Sequence, residues 1–521
     1  MSGANLSRRQ ILAAMAAAGL SPAFYQKAAL SADGKTLRVR SYADIQGLDP
    51  AFRKAAPDDD VMRNIFVGLA DMTPGDVWKW KLDAASRLEQ TDPTHIEFTL
   101  MDGLTWTDGH GAVTADDVKF SFERMIDPKL DAVYKGDWEA LDHVDVKDEK
   151  SGTIVLKAPF PPLWNVGLVF GSGRIVSRKA VEAVGGKFDT KPPAQCGRYL
   201  IKEWQPKQRL ILARNPDWKG EAPQFDEVQV IPIEDEKTAE LALEAGDLDY
   251  TWIPPSSIPR FRQTPPKGGK ITVKPSLAYV WLGMNLEAPP FDKLEVRRAV
   301  QHAIDVPSVL DAAYFGAAEP ATGIIAPGLI GHREKNIYSY SPDKAREFLN
   351  KAGLGSGFEC TIDILNKTEQ VSAAQAIQAN LAEIGVTATI QQHDSGTFWS
   401  LGDQKSGDAW KKIQLIVNRF SMQPDPSFAT DWFTPEQIGV WNWERFNSPE
   451  YGELNKKAKI EQDPAKRAEM YVHMQDLMEE SGCYVFLTHG VTGIGYSDKI
   501  EPALMPNGNP IFHAFKATSS C

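Results

Sequence analysis

Two pairs of adjacent carboxylates, Asp58–Asp59 and Asp116–Asp117, have the residue types that general acid–base chemistry needs. In a glycoside hydrolase, one such group protonates the leaving oxygen while the other activates water or attacks the sugar. Neighbouring residues of a helix or strand point in different directions, so neither pair converges on one reacting atom. A secreted hydrolase built on either pair is therefore the disfavoured alternative.

Metal and nucleophile chemistry has equally little support in the sequence. His110 has no second metal ligand three or four residues away. The cysteines are far apart and lack a C-x-x-C spacing, and their pairing is open because four cysteines allow three full pairings: Cys196, Cys360, Cys483 and Cys521. Nucleophile-elbow, phosphate-loop and zinc-protease motifs are all missing from the sequence. We therefore expect neither a metal nor a cofactor.

The acid pair at Asp116–Asp117 has a structural explanation. Thr114 can act as an N-cap, and Asp117 three residues later completes a capping box. Apolar residues then recur at helical spacing over 118–126, which predicts one buried helix face. The preceding segment, 95–100, alternates apolar and polar residues as a half-buried strand does. These carboxylates are thus expected to position elements of the fold.

Other segments repeat the succession of helix and strand. A strand pair is predicted over 199–214, and a helix ending at Gly246 is followed at once by a strand. Two further helices are expected to end at Gly353 and Gly385, each before a strand. This order indicates an α/β fold, and 521 residues suffice for two or three domains.

The charge balance excludes one class of partner. The chain has 57 basic and 69 acidic residues, a net charge of −12, and no basic cluster. Nucleic-acid binding would require a concentrated basic surface. We therefore expect no nucleic-acid partner.

The N-terminus carries the features of an export signal. Arg8 and Arg9 precede an apolar run from Ile11 to Leu20, which is too short to span a bilayer. A charged start before such a run is typical of a signal peptide, and the arginine pair resembles the twin-arginine signal. We expect a signal over 1–32 and a mature protein in a Gram-negative periplasm. An amphipathic helix of a cytoplasmic protein is the alternative.

Six stretches, taken in order, resemble the family 5 extracellular solute-binding proteins, which are peptide- and nickel-binding type receptors of ABC importers. The six stretches are FTLMDGLTWTDGHGAVTADDVKFSFERM, CGRYLIKEWQPKQRLILARNPDW, LEAGDLDYTW, MNLEAPPFDKLEVRRAVQHAID, YSPDKAREFLNKAGL and AIQANLAEIGVTATI.

The resemblance implies an α/β, two-lobed periplasmic binding protein (Venus-flytrap) with an extra subdomain in lobe I. Lobe I would comprise 33–275 and the returning tail 487–521, and lobe II 276–486. The chain would cross between the lobes near 276–281 and 483–489. A small-molecule ligand would lie between the lobes of a monomer that delivers it to an inner-membrane permease. Delivery to a chemoreceptor is the alternative.

The resemblance also places ligand contacts in the second half of the chain. Trp281, Trp399 and Trp441 are expected to stack on a sugar ring or an aliphatic ligand. The candidate ligand-binding residues are Tyr279, Trp281, Phe398, Trp399, Arg419, Met422, Asp425, Trp441, Asn442 and Arg445.

One departure from the family leaves the ligand class open. Met422 stands where peptide-binding relatives carry an acid that pairs with the α-ammonium of the ligand, although Asp425 could substitute. The departure predicts weak binding of free peptides. Arg419 suits an anionic group. Peptide-like solutes, oligosaccharides, opines and metal chelates therefore all stay possible.

Overall fold

The computed structural model describes residues 36–518, so the predicted export signal and Cys521 lie outside the described residues. The chain divides into two compact units. Unit 1 comprises the residues up to Lys274 and those from Thr492 onward, and unit 2 is Pro275–Val491. Lobe II was expected to end at 486. Unit 2 continues to Val491 because the returning strand, Tyr484–Thr488, pairs with a strand of unit 2.

The described α-helices are α1 (Ala56–Ile65), α2 (Ala115–Ile126), α3 (Arg178–Ala183), α4 (Glu236–Ala245), α5 (Ile258–Gln263), α6 (Leu294–Ala303), α7 (Val306–Tyr314), α8 (Pro342–Lys351), α9 (Thr368–Glu383), α10 (Ser395–Ser400), α11 (Ser427–Thr430), α12 (Pro449–Ile460) and α13 (Pro464–Glu480).

The described strands are β1 (Thr36–Ser41), β2 (Ala70–Met72), β3 (Trp80–Leu82), β4 (Ala85–Asp92), β5 (His95–Leu100), β6 (Leu141–Val146), β7 (Ser151–Leu156), β8 (Tyr199–Gln205), β9 (Arg209–Arg214), β10 (Glu227–Pro232), β11 (Tyr250–Ile253), β12 (Gly269–Pro275), β13 (Ala278–Met284), β14 (Glu359–Leu365), β15 (Thr387–His393), β16 (Leu415–Ser421), β17 (Tyr484–Thr488), β18 (Val491–Ser497), β19 (Ile500–Glu501) and β20 (Lys516–Ala517).

Unit 1 is built on a seven-stranded sheet in the order β12-β18-β11-β1-β10-β9-β8. Its central strand, β1, runs parallel to both neighbours, β10 and β11. A separate four-stranded sheet in the order β4-β5-β7-β6 lies within the range expected for lobe I. The carboxyl ends of β1, β10 and β11 therefore meet at one edge of the large sheet.

Unit 2 contains a five-stranded sheet in the order β15-β14-β16-β13-β17. β14 runs parallel to β15 and β16, whereas β13 is antiparallel to both of its neighbours. One apolar core joins residues of β13 and β16 to residues of α6, α7 and α9, among them Val280, Val417, Val300, Val309 and Ile377. These helices therefore cover one face of the sheet.

The two ends of unit 2 are bonded to each other. Ser276 Oγ donates to the carbonyl of His489, and His489 Nδ1 bonds to the carbonyl of Ala278. In unit 1 the chain leaves from β12 and re-enters at β18, and these two strands are neighbours in the sheet. Unit 2 is thus an insertion that begins and ends at one place.

The predicted capping box at the start of α2 is confirmed. Asp117 accepts the backbone N–H of Thr114 at 2.9 Å, and Thr114 Oγ1 accepts the N–H of Asp117. The same carboxylate also accepts Trp106 Nε1 at 3.0 Å and the N–H of Arg178 at 2.8 Å. Asp116 points outward, to the exposed guanidinium of Arg178. The pair is structural in this unit.

Two other local predictions, a strand pair and a helix that ends at a glycine, are also confirmed. β8 and β9 form the expected antiparallel pair, and α4 ends at Gly246, whose φ of 77° is left-handed.

Cys196, Cys360 and Cys483 are buried free thiols. Burial raises the pKa of the Cys360 and Cys483 thiols to about 12. No helix within residues 36–518 has the length and apolar character that a membrane crossing requires.

Replacing Asp117 tests its role in the fold. Asp117→Ala removes the acceptor from N–H groups of three residues, among them the buried indole N–H of Trp106, so we expect the free energy of unfolding to fall by about 2–4 kcal/mol. Asp116→Ala is the matched control, because it removes an exposed ion pair that is worth about 0–1 kcal/mol. Urea unfolding followed by circular dichroism measures both changes. Equal losses in the two variants would contradict the assignment.

Candidate functional site

The pairing of β13 with β16 decides which side chains can act together. Tyr279 lies opposite Phe420, and Trp281 lies opposite Asn418. Opposed residues of an antiparallel pair point to the same side of the sheet, and successive residues point to opposite sides. Tyr279, Trp281 and Phe420 therefore share the face that α6, α7 and α9 leave uncovered.

A buried aromatic layer covers this second face. Tyr279 stacks on Trp281 with ring centroids 5.5 Å apart, and both side chains are about 1% exposed. The edge of Phe433 meets Trp281 at 5.3 Å. Phe398 belongs to an adjoining buried cluster with Trp443. Tyr279, Trp281 and Phe398 therefore support the site from below and do not form its surface.

Four half-buried aromatic side chains lie above that layer: Trp399, Phe420, Trp432 and Trp441. Trp399 stacks over Phe420 at 6.1 Å, and Trp441 meets the ring of Phe420 edge-on at 5.9 Å. Trp432 extends the group by contacting Trp441 at 6.1 Å. We call these four residues the aromatic face. It is a semi-exposed surface on which a ring or an aliphatic group could lie.

A buried acid lies beneath the aromatic layer. Glu444 Oε1 accepts the indole N–H of Trp281 at 2.7 Å. Burial raises the pKa of Glu444 to about 7, although the hydrogen bond from Trp281 acts in the opposite direction. Gly283 in β13 leaves room for this carboxyl, since a Cβ there would lie 2.1 Å from Glu444 Oε1. The acid thus fixes the indole ring that supports the aromatic face.

Asp425 is already engaged within unit 2. Its two carboxylate oxygens each accept a hydrogen bond from the guanidinium of Arg467 at 2.8 Å, and both side chains are buried. Ser427 Oγ adds a third hydrogen bond at 2.8 Å. Asp425 could therefore reach a ligand ammonium only by leaving Arg467. Met422 is also buried, at 6% exposure, so this segment presents no carboxylate in place of the expected acid.

Asn442 holds the loop that carries Trp441. Its side-chain amide donates to the carbonyl oxygens of Phe433, Thr434 and Phe446, and its oxygen accepts the N–H of Phe446. The side chain is 0% exposed, and these bonds use both polar ends of the amide. Asn442 therefore positions the aromatic face without reaching its surface.

The two candidate arginines lie apart from the aromatic face. Arg445 pairs with Glu287 at 2.6 Å and lies over Trp410, 4.2 Å from the ring centroid. Arg419 is opposite Val280, so it points to the helix-covered side of the sheet. It is exposed there and makes no ion pair within residues 36–518. The expectation that Arg419 and the three tryptophans hold one ligand therefore fails in this geometry.

Sequence reasoning missed two members of the aromatic face, Phe420 and Trp432. Phe420 could have been found from strand alternation, because it is two residues after Asn418, which lies opposite Trp281. No pattern marks Trp432, which joins the group through its contact with Trp441. The described part of the chain holds no group of three or more His, Cys, Asp or Glu that could bind a metal ion.

The comparison with known families decides what kind of protein carries this site. A family model for the bacterial extracellular solute-binding proteins, family 5 (middle), matches residues 79–439. The chain belongs to this family. As a family 5 protein it binds a solute for an ABC transporter, and it has the α/β fold of the two-lobed periplasmic binding proteins.

Individual relatives are distant but cover most of the chain. The glutathione-binding protein GsiB of Escherichia coli is 25% identical over 487 residues, which is 90% of this chain and 92% of GsiB. The solved structure of the ABC transporter substrate binding protein CtaP from Listeria monocytogenes aligns with a TM-score of 0.82 at 21% identity, over 94% of this chain and 100% of CtaP. AgaA from A. tumefaciens, solved with agropinic acid, aligns with a TM-score of 0.72 at 22% identity, over 93% of this chain and 99% of AgaA.

The raised pKa of Glu444 predicts a pH dependence of stability. Between the ordinary glutamate value of 4.5 and about 7, the folded chain binds more protons than the unfolded chain, so stability falls as pH rises. From pH 5 to pH 8, we expect the wild type to lose about 2–3 kcal/mol relative to Glu444→Gln. Denaturant titrations at both pH values measure this difference. The exposed Glu453→Gln variant should follow the wild type, and a Glu444→Gln variant that does so too would refute the prediction.

Proposed function

We propose that this protein acts in the periplasm as a monomer, binds a small organic solute on the aromatic face of unit 2 and delivers it to an inner-membrane ABC permease. The observation that carries the proposal is the set of four half-buried aromatic side chains in a chain of the solute-binding family 5. Ligand sites are lined mainly by apolar and aromatic groups with a few polar partners.

The candidate residues divide by depth in this proposal. Trp399 and Trp441 contact the solute together with Phe420 and Trp432, since these side chains combine exposure with a rigid support. The remaining candidates do not contact the solute in this proposal. Tyr279, Trp281, Phe398 and Asn442 support or position the aromatic face from buried positions, Met422 and Asp425 are buried after β16, and Arg419 and Arg445 lie apart from the face.

Two solute classes come first for testing. GsiB, which is named as glutathione-binding, aligns with nearly the whole chain, and this supports small peptides. AgaA shares the fold and was solved with agropinic acid, so opines belong in the same panel. Oligosaccharides complete the panel because aromatic rings also stack on sugars.

Removing Trp441 tests the aromatic face. A thermal-shift screen of the purified chain identifies solutes that stabilise it, and calorimetry then measures their affinities. We expect Trp441→Ala to weaken binding about five- to hundredfold, because loss of one stacking side chain costs about 1–3 kcal/mol.

The matched control is Trp80→Ala. Trp80 is 36% exposed and stacks on Trp164 in unit 1, so this variant removes a comparable aromatic pair outside the proposed site. Its affinity should equal that of the wild type. Full affinity in Trp441→Ala, or an equal loss in both variants, would rule out the aromatic face as the binding surface.

The export route belongs to the same proposal. Arg8 and Arg9 before an apolar run support transport through the twin-arginine pathway. Replacing both arginines by lysine should leave uncleaved precursor in the cytoplasm, as detected by fractionation and immunoblotting. Normal periplasmic accumulation of the double variant would show that another pathway exports the protein.

A further inference from the structure

We infer that Asp60, Tyr42 and Trp252 form a site in unit 1 for a primary ammonium group of the solute. The inference rests on the proposed function, because it assumes that a small organic solute is the natural ligand. It adds the chemical group that this solute must carry.

The site lies at a favourable place in the fold. β1 ends at Ser41, and Tyr42 follows it directly, while Trp252 belongs to the parallel neighbour β11. In open α/β sheets, ligands bind beyond the carboxyl ends of parallel strands. Tyr42 and Trp252 line a small pocket together with Tyr250 and with Asp60, which lies in the first half of α1.

Asp60 is the unengaged member of three consecutive acids. Asp58 accepts three backbone N–H groups at 2.8–3.1 Å, and Asp59 pairs with Arg53 at 2.5 Å. Arg63, one turn beyond Asp60, bonds to the buried Asp71 at 2.7 Å. The Asp60 carboxyl makes no hydrogen bond or ion pair with any residue of the described range.

The surrounding aromatic side chains contact one another. Tyr42 stacks on Trp252 with centroids 5.6 Å apart, and Trp252 Nε1 donates to Tyr250 Oη at 3.2 Å. What these side chains offer is their π faces, which attract cations. Arg40 also lines the pocket, but its guanidinium donates to the carbonyl oxygens of Ile233 and Glu234 at 2.8 and 3.0 Å.

One carboxylate beside aromatic rings suits an ammonium group better than a metal ion. A divalent cation needs several oxygen ligands, whereas a primary ammonium can donate one charge-assisted hydrogen bond and place its remaining charge over the rings. Free peptides carry a primary ammonium group, so a site of this kind in unit 1 would oppose the weak peptide binding that the segment around Met422 predicts.

The electrostatics of the pocket fit a cationic ligand. Burial, followed by the negative charge of Asp59 and with Arg63 opposing, raises the pKa of Asp60 from 3.8 to about 8. The charge of Asp60 in turn raises the pKa of Tyr42 and Tyr250, for which burial is the larger cause. An ammonium group would therefore displace a proton from Asp60 when it binds near neutral pH.

The test compares free amines with their N-acetylated counterparts. The probes are amino acids, di- and tripeptides and glutathione, each paired with its N-acetyl form, and binding is measured at about pH 8 by thermal shift and calorimetry, because peptide α-amino groups and Asp60 are both partly charged there. The proteins are the wild type, Asp60→Asn and Asp108→Asn. Asp108 is an exposed acid of unit 1 that makes no side-chain hydrogen bond within the described residues, so its variant matches the change in charge.

In the wild type and in Asp108→Asn, we expect the free amine to bind about ten- to hundredfold more tightly than the acetylated form, which is the range for a hydrogen bond between charged groups. In Asp60→Asn this preference should disappear, with a native circular dichroism spectrum. For the wild type, affinity for a peptide amine should rise from pH 6.5, pass through a maximum near pH 8 and fall at higher pH, because Asp60 gains its charge over the range in which the peptide α-amino group begins to lose its own.

The possible outcomes distinguish a failure of the Asp60 site from a failure of the proposed function. Probes that bind the wild type without regard to acetylation would overturn the Asp60 site and leave the proposed function standing. An amine preference that survives in Asp60→Asn, or a flat pH profile, would likewise assign recognition to another group. Failure of every probe to bind, together with failure of the opine and oligosaccharide panel, would overturn both proposals.

Discussion

The alternation of side chains along β13 is the constraint on which the site in unit 2 depends. Both faces of this strand are buried: Val280 and Leu282 pack against helices, while Tyr279 and Trp281 lie in the aromatic layer. A slip of one residue would exchange the two sets, so pairing with β16 and β17 admits one register. Gly283 reinforces this register, because the Glu444 carboxyl occupies the space that a side chain at this position would fill.

Local sequence signals predicted much of the fold but little of the site. The capping box at Thr114 and the glycine end of α4 depend on residues a few positions apart, so sequence spacing reveals them. Asp425, by contrast, pairs with a residue 42 positions later, and nothing near it indicates that partner. Arg419 was grouped with the tryptophans because the family resemblance places ligand contacts in its segment, although strand pairing puts it on the other side of the sheet. Site prediction needed long-range pairing that one sequence does not contain.

Three acids illustrate how environment assigns a role to the same chemical group. Asp425 forms a bidentate pair with a buried guanidinium, which compensates its charge fully. Glu444 faces an indole N–H in an aromatic layer, and burial there favours the protonated form. Asp60 has the least support, since its neighbours in α1 are acids and the nearby Arg63 is bound elsewhere. A carboxyl left without compensation costs stability, which is the usual condition of a group kept for a ligand.

The insertion of unit 2 between two neighbouring strands of unit 1 has an evolutionary consequence. Since Ser276 and His489 hold the ends of the inserted segment together, the segment can be exchanged as a cassette without lengthening or cutting the surrounding sheet. Recombination at these two points would replace the whole of unit 2 and leave the strand order of the large sheet of unit 1 unchanged. The two units could then diversify independently in descendants of one gene.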